Sequence, residues 1–290
     1  MLLGFSDYEA QSRGLATVLD MPFETIHVHR FPDGELKLEL PSKLPPRVVV
    51  CRSLDRPNEK LIELLLAAKT ARELGAQRLT LVAPYLCYMR QDKAFHPGEA
   101  VSQPIVGRFL ADLFDDVITV DPHLHRVRQL GDAVPSNNAV ALTATALMAD
   151  FLQQRLDNPL LLGPDREAKQ WVSSVAAPAG WDFGVCTKNR LGDRQVQISL
   201  PEIDIDGRAI VLVDDVASSG RTLAVAASAC LARRAARVDV LVTHALFCAD
   251  ALRQLVDAGV HDVWSTDSVS HQSNRIALAA LIGDAVSGLE

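Results

Sequence analysis

Short, unbroken apolar runs set between stretches of helical periodicity limit how this chain can fold more than any other feature. Arg47–Cys51 reads RVVVC, Leu79–Ala83 reads LTLVA and Val117–Val120 reads VITV. Leu160–Leu162, Ile210–Val213 (IVLV) and Val238–Thr243 (VDVLVT) follow the same rule. A strand with one wet face alternates polar with apolar residues. A strand without alternation needs apolar cover on both faces, which is the condition of a parallel sheet flanked by helices. The intervening segments supply those helices. Asn58–Leu74 carries Leu61, Leu64, Leu65 and Ala68 at helical spacing, and Gly75 stops it. Val101–Phe114, Ala141–Gln154, Arg221–Ala236, Asp250–Ala258 and Asn274–Ser287 read alike. The βαβα order runs twice, so the expectation is an α/β chain of two doubly wound parallel-sheet domains. The first set of strands ends near Asp121–His125, and a polar loop around Pro135-Ser136-Asn137-Asn138 follows. The expected domains are therefore residues 1–142 and 143–290, with the last helical segment, Asn274–Ser287, able to pack on either.

Bulk properties remove several function classes. With 48% apolar and 22% charged residues, the 290-residue chain can bury two cores of ordinary size. A net charge of −7 and the lack of any Lys/Arg run argue against a nucleic-acid partner. The five cysteines are scattered, without zinc-ligand spacing, and read as reduced thiols. No stretch reaches the roughly 18 apolar residues of a membrane helix. The first residues lack the basic start and apolar core of a secretory signal. The expectation is a cytoplasmic protein with no membrane partner.

In open α/β sheets, ligands bind beyond the carboxyl ends of strands. Polar residues directly after the apolar runs therefore carry the functional signal. The strongest is Ile210–Thr222, where IVLV runs into Asp214-Asp215-Val216-Ala217 and then Ser218-Ser219-Gly220-Arg221-Thr222 at the start of a helix. Small hydroxyl residues and a glycine let backbone N–H groups converge on an anion, and the helix adds its positive end. The two acids can accept hydrogen bonds from a sugar diol. Side chains alternate along a strand, so one acid alone is expected to face the ligand. The plainer reading is a helix N-cap with solvated acids. The chain has no Gly-rich loop ending in Gly-Lys-Ser/Thr, which argues against a P-loop nucleotidase.

Three further segments stand out. Pro84–His96 follows a strand and gathers Arg90, Gln91, Asp92 and Lys93, where Arg90 and Lys93 could neutralise a polyphosphate. A charged surface loop is the alternative. Asp121-Pro122-His123-Leu124-His125 sets two histidines and an acid at a strand end, with metal-ligand potential. Phe31-Pro32-Asp33-Gly34-Glu35 is, on physical grounds, a turn.

Together these segments resemble the ribose-phosphate pyrophosphokinases. The Asp214–Thr222 stretch is similar to the phosphate motif that this family shares with type I phosphoribosyltransferases. The Phe31–Glu35 and Pro84–Asp92 segments choose the pyrophosphokinases. The resemblance implies the type I phosphoribosyltransferase-like fold and transfer of diphosphate from ATP to ribose 5-phosphate, releasing AMP. It implies magnesium as cofactor and a homo-oligomer, a dimer or larger. It carries Phe31, Asp33, Glu35, Arg90, Gln91 and His123 into ATP binding. Asp165, Asp214, Asp215, Ser218, Ser219, Gly220, Arg221 and Thr222 go to ribose 5-phosphate, and His123 and Asp165 to the metal. Lys188 and Arg190, in Thr187-Lys188-Asn189-Arg190, match a catalytic arm, although residues alone read as an exposed loop. Thr243–Phe247 and Ser265–Ser268 extend the likeness toward the end of the chain. Ser218 stands where many members have a third acid, so Ser218-Ser219-Gly220-Arg221-Thr222 is nearer to the Ser-Thr-Gly-Gly-Thr form of archaeal-type members, although Arg221 replaces a glycine of that form. A phosphoribosyltransferase would share the phosphate loop without needing the Phe31 and Arg90 segments. A non-catalytic regulatory homologue is the other alternative. If Lys188 belongs to the catalytic arm, Lys188→Ala lowers turnover far more than it weakens ATP binding. Steady-state kinetics beside a direct ATP-binding measurement checks this, and an unchanged turnover number removes Lys188 from the arm.

Overall fold

The computed structural model describes residues 1–124, 126–190, 196–248 and 250–289. The chain divides into two compact units, Met1–Leu142 with Leu278–Glu290, and Thr143–Ala277.

The first unit begins β1 (Leu2–Phe5), α1 (Glu9–Val18), β2 (Phe23–Arg30), β3 (Leu36–Glu39), β4 (Arg47–Cys51) and α2 (Pro57–Glu73). It continues with β5 (Arg78–Val82), α3 (Ser102–Leu113), β6 (Asp116–Val120), α4 (Leu130–Ala133) and β7 (Asn138–Leu142). The seven strands lie in the order β3-β2-β1-β4-β5-β6-β7, and only the β2–β3 pairing is antiparallel. The apolar runs fill the centre: Val48–Cys51, Leu79, Leu81, Val82, Val117, Ile118 and Val120 are buried. α2 starts with Pro57 and turns Leu64, Ala67, Ala68 and Ala71 inward. At the amino ends of the last three strands, Asp116 is fully buried. It accepts hydrogen bonds from Arg78 Nε (2.8 Å), Thr80 Oγ1 (3.0 Å) and Asn138 Nδ2 (2.7 Å). Burial alone would raise its pKa, but the bonds from Arg78, Asn138 and Thr80 outweigh it and hold the carboxyl below its usual range.

The second unit contains α5 (Thr145–Gln153), β8 (Leu160–Gly163), α6 (Lys169–Ala176), β9 (Phe183–Val185) and a hairpin of β10 (Thr187–Arg190) with β11 (Val196–Ser199). Then come β12 (Ala209–Ala217), α7 (Arg221–Ala232), β13 (Arg237–Ala245), α8 (Ala251–Asp257), β14 (Val263–Thr266) and β15 (Asn274–Ile276). Its main sheet, β15-β14-β13-β12-β8-β9, is parallel throughout.

Three expectations change. Residues 138–142 form β7, parallel to β6, and the helix behind them starts only at Thr145. β7 edges its sheet and is only half covered, so Asn138-Ala139-Val140-Ala141-Leu142 lacks the saturated apolar run of an interior strand. Asn274–Ile276 is a strand, and the final helix, α9, is Ala279–Ser287. That helix belongs to the first unit, so the second ends at Ala277 and not at residue 290. α9 lies against α1 because Gly283 has no side chain: a Cβ there would sit 2.6 Å from Val18 Cγ1. Gly283→Val therefore forces the two helices apart and costs about 1–3 kcal/mol, as overpacked contacts do. Urea unfolding measures the loss, and an unchanged midpoint would mean that this contact contributes nothing to stability.

Candidate active site

Parallel strands place their carboxyl ends on one edge, and each sheet has a point where the chain switches sides. In the second unit β8 is followed outward by β9, and the chain then returns to β12 on the other flank. The crevice between β8 and β12 is thus the switch point. Asp165 follows β8, and Asp214 and Asp215 come from β12. The strand does not stop at Val213 but runs to Ala217, so both acids lie on it, with Asp214 opposite Val242 and Val216 opposite His244. Asp214 is partly exposed and Asp215 is buried, yet the Asp215 carboxyl is near enough to act on that of Asp214. Asp214 Oδ1 accepts the Asp215 backbone N–H (3.0 Å), and Asp215 Oδ1 accepts that of Val216 (2.8 Å). Burial, with the negative charges of Asp215 and Asp165, raises the Asp214 pKa well above its ordinary 3.8. Three carboxylates in one crevice suit a ligand that brings hydroxyl donors or a cation.

Beyond β12, Ser218 and Ser219 lead into α7. Gly220 sits at its N-cap with φ +70°, a conformation that favours glycine, and a Cβ there would meet the Ala251 carbonyl oxygen at 3.2 Å. Arg221 is exposed in the first turn, followed by Thr222. Cys248 braces this loop from the β13 side: its N–H donates to the Ser218 carbonyl (3.1 Å). Behind it, the Thr243 carbonyl accepts from Thr266 Oγ1 (2.6 Å) and Ser268 Oγ (2.8 Å), and Ser268 Oγ lies 2.9 Å from the Nδ1 of buried His244. From β8, the Gly163 carbonyl accepts the N–H of Cys186 (2.8 Å), one residue before the β10–β11 hairpin. Burial pushes that thiol up to about 12, with smaller contributions from Cys230 and Asp165. In the hairpin Lys188 pairs with Ile198 and Arg190 with Val196; the side chains of Lys188 and Arg190 lie outside the described residues.

In the first unit the switch point falls between β1 and β4. The protein fills it with its own charges. Buried Arg52 pairs with Glu63 and, at 3.3 Å, with Asp7, while its guanidinium covers the Phe5 ring. Lys60 Nζ lies 2.8 Å from Asp7 and 2.6 Å from Asp55, and donates to the Ser53 carbonyl (2.9 Å). The residues expected to bind ATP sit further along the edge. Arg90 and Gln91 follow β5, and His123 follows β6. Arg90 is exposed, while Gln91 and His123 are partly buried. Asp121, beside His123, is buried with φ +39°, a strained backbone of the kind functional edges hold. His125 lies outside the described residues. Phe31–Glu35 forms the β2–β3 turn, with Gly34 N–H bonded to the Phe31 carbonyl (2.9 Å) and Glu35 N–H to Asp33 Oδ1 (3.1 Å). Phe31, Asp33 and Glu35 are exposed, and Phe31 meets His29 edge-on. Glu35, with Arg30, Leu36, Asn58, Ile62 and Leu66, lines a cleft of about 430 Å³.

Residues 1–117 match the family model described as the N-terminal domain of ribose phosphate pyrophosphokinase, and residues 131–274 match the phosphoribosyl transferase domain. A ribose-phosphate pyrophosphokinase of Methanopyrus kandleri is 33% identical, covering 100% of this chain and 99% of that relative. One of Methanothermobacter thermautotrophicus is 31% identical, over 98% and 99%. The chain belongs to the ribose-phosphate pyrophosphokinase family. Its fold is that of the crystal structure of phosphoribosylpyrophosphate synthetase from Mycobacterium smegmatis, with a TM-score of 0.86, 19% identity, and coverage of 100% of this chain and 98% of that one.

Residues that support the edge of the first sheet carry no mark in the sequence. Gln103 is buried at the start of α3; its side chain donates to the Met89 carbonyl (3.1 Å) and its N–H to that of Gln91 (3.2 Å). As a polar residue at a helix start it gives no sequence signal. Among the described residues, the one His/Asp group with metal-ligand spacing is Asp239, His261 and Asp262, at the amino ends of β13 and β14, where Arg237 already pairs with both acids.

The crowded acids have a measurable cost. Below pH 3.8 Asp214 is protonated in folded and unfolded chains alike. As pH rises, the unfolded chain loses that proton while the folded one keeps it, so folding loses stability until the raised folded pKa is passed. Asp214→Asn therefore stabilises the ligand-free, chelator-treated protein at neutral pH, with the gain vanishing toward pH 3.8. Denaturant unfolding across that range tests it; a gain independent of pH would remove the electrostatic explanation.

Proposed function

We propose that this chain synthesises phosphoribosyl pyrophosphate, moving the β,γ-diphosphoryl group of ATP onto the anomeric hydroxyl of ribose 5-phosphate and releasing AMP. The observation that carries this reading is the second unit's switch point, where three carboxylates adjoin a hydroxyl-rich loop at a helix start. Likeness over the full length to relatives named for this activity supports it. The match to the pyrophosphokinase N-terminal model over residues 1–117 disfavours a simple phosphoribosyltransferase.

In this reading, Ser218, Ser219, Gly220, Arg221 and Thr222 hold the 5-phosphate. Their backbone N–H groups and the α7 dipole meet its charge, and the Arg221 guanidinium adds to it. Asp214 and Asp215 accept hydrogen bonds from the ring hydroxyls and fix the sugar's orientation. ATP lies on Arg90, Gln91 and His123, with Phe31 packed on the base and Asp33 and Glu35 accepting from it. Lys188 and Arg190 close over the transferring group as a charged clamp. The anomeric oxygen attacks the β-phosphorus and the bond to the AMP oxygen breaks, so alignment and neutralisation carry the catalysis. No covalent enzyme intermediate is required.

Magnesium fits the donors present. Oxygen ligands suit a hard cation, and the raised proton affinity of Asp214 reports surplus negative charge in the crevice. The family resemblance assigns magnesium to His123 in the first unit and to Asp165 in the second, each taken by itself, and when bound it would supply neutralisation of the polyphosphate. The family resemblance also supports a homo-oligomer in the cytoplasm, and among the described residues no helix is long and apolar enough to cross a membrane.

The test is a coupled assay of the purified protein with magnesium, ATP and ribose 5-phosphate. AMP is expected only when the sugar is present, in step with phosphoribosyl pyrophosphate. No AMP under varied metal and phosphate conditions would shift the reading to a regulatory homologue or another sugar phosphate.

A further inference from the structure

The loop after β5 and the loop after β6 bear the residues assigned to ATP, and one ion pair ties them together. Arg126 Nη1 lies 2.5 Å from Asp92 Oδ1. Asp92 directly follows Gln91, and Arg126 stands three residues beyond His123. The pair is asymmetric. The Asp92 side chain is 2% exposed, whereas that of Arg126 is 51% exposed. Asp92 Oδ2 is buried and, among the described residues, has no hydrogen-bond partner. A carboxylate so placed depends on its guanidinium, since a buried charge stripped of its partner is strongly unfavourable.

The other ties on this loop lead elsewhere. Gln103 holds the backbone at Met89 and Gln91, and it belongs to α3. Tyr88 donates to Asn58, at the start of α2. Nearer the sheet, the Val120 N–H donates to the Pro84 carbonyl (3.1 Å), at the root of both loops and not at their tips. The Asp92–Arg126 pair is thus the described side-chain link between the outer parts of the two loops.

We infer that Asp92 and Arg126 are positioning residues for ATP: their ion pair sets the spacing of Arg90 and Gln91 relative to His123. Arg126 is held by Asp92 with half its surface open to solvent, and Asp92 is anchored without touching substrate. This rests on the assignment of Arg90, Gln91 and His123 to the nucleotide, and the experiment separates the two.

ATP affinity is measured by calorimetry on the full chain, and KM for each substrate by the AMP assay. The variants are Asp92→Asn, Arg126→Gln, Arg126→Lys, the double Asp92→Asn/Arg126→Gln, and Arg90→Ala as control. Each single neutralisation is expected to weaken ATP binding about tenfold, in the range of coupled neighbours, with KM for ribose 5-phosphate unchanged. The double variant is expected to bind no worse than either single one, and Arg126→Lys to recover part of the loss. Arg126 is half exposed, so its replacements leave the fold intact and keep the test open even if Asp92→Asn unfolds. Wild-type affinity in Asp92→Asn, multiplied losses in the double variant, or equal rises in both KM values would overturn the inference. An Arg90→Ala protein that binds ATP normally would instead remove the underlying assignment. Loss in Arg126→Gln with none in Asp92→Asn would make Arg126 a direct ligand and end the positioning role.

Discussion

Parallel hydrogen bonding between strands governs everything else in this protein. It forces each connection to carry the chain back across the sheet before the next strand starts. Every parallel strand of a unit then finishes at the same edge, and the loops leaving the strands gather there. Asp165, Asp214 and the Ser218–Thr222 loop come from distant parts of the chain, yet meet because β8 and β12 pair in register, Leu160 with Ile210 through Leu162 with Leu212. Arg90 and His123 are brought to one edge in the same way by β5 and β6. The saturated apolar runs between them carry no chemistry, but they make parallel pairing the stable arrangement.

That edge is held against an electrostatic cost. Asp214 is desolvated in its crevice and faces the charges of Asp215 and Asp165, and it responds by holding its proton. The opposite edge of the first unit shows the same residue type used for stability: Asp116 is fully buried, but three donors surround it and its carboxyl is held below the usual range. Burial is common to both; the supply of donors differs. A site waiting for donors from a ligand is expected to look like the first case, and a structural lock like the second.

The same distinction explains how much could be read in the sequence. Interior strands announce themselves, because cover on both faces demands unbroken apolar residues, and Arg47–Cys51 is β4 to the residue. β7 and β15 lie at or near sheet edges, where cover is partial and the signal fades. The two acids of β12 look like the end of a strand because polarity rises there, yet pairing with β13 continues through Ala217. Of the site, the loop around Gly220 was legible from its composition, whereas the Phe31–Glu35 turn gained a functional meaning only through family resemblance. Gln103 and Arg126 were illegible: each is an ordinary polar residue whose meaning comes from a partner 14 or more residues away, at Met89 and Asp92.

The place of α9 bears on how the chain is made. The second unit, Thr143–Ala277, is spliced between β7 and the helix that completes the first. On the ribosome, the strands of the first unit emerge early, but the face of α1 around Leu15 and Val18 has to wait for α9, which is made only after the whole second unit. Through the whole synthesis of the second unit, that face is a sticky surface with no native cover. The last helix acts as a closing clasp, and a chain interrupted before Ala279 would leave the ribosome with its first unit unfinished, whatever the state of its second.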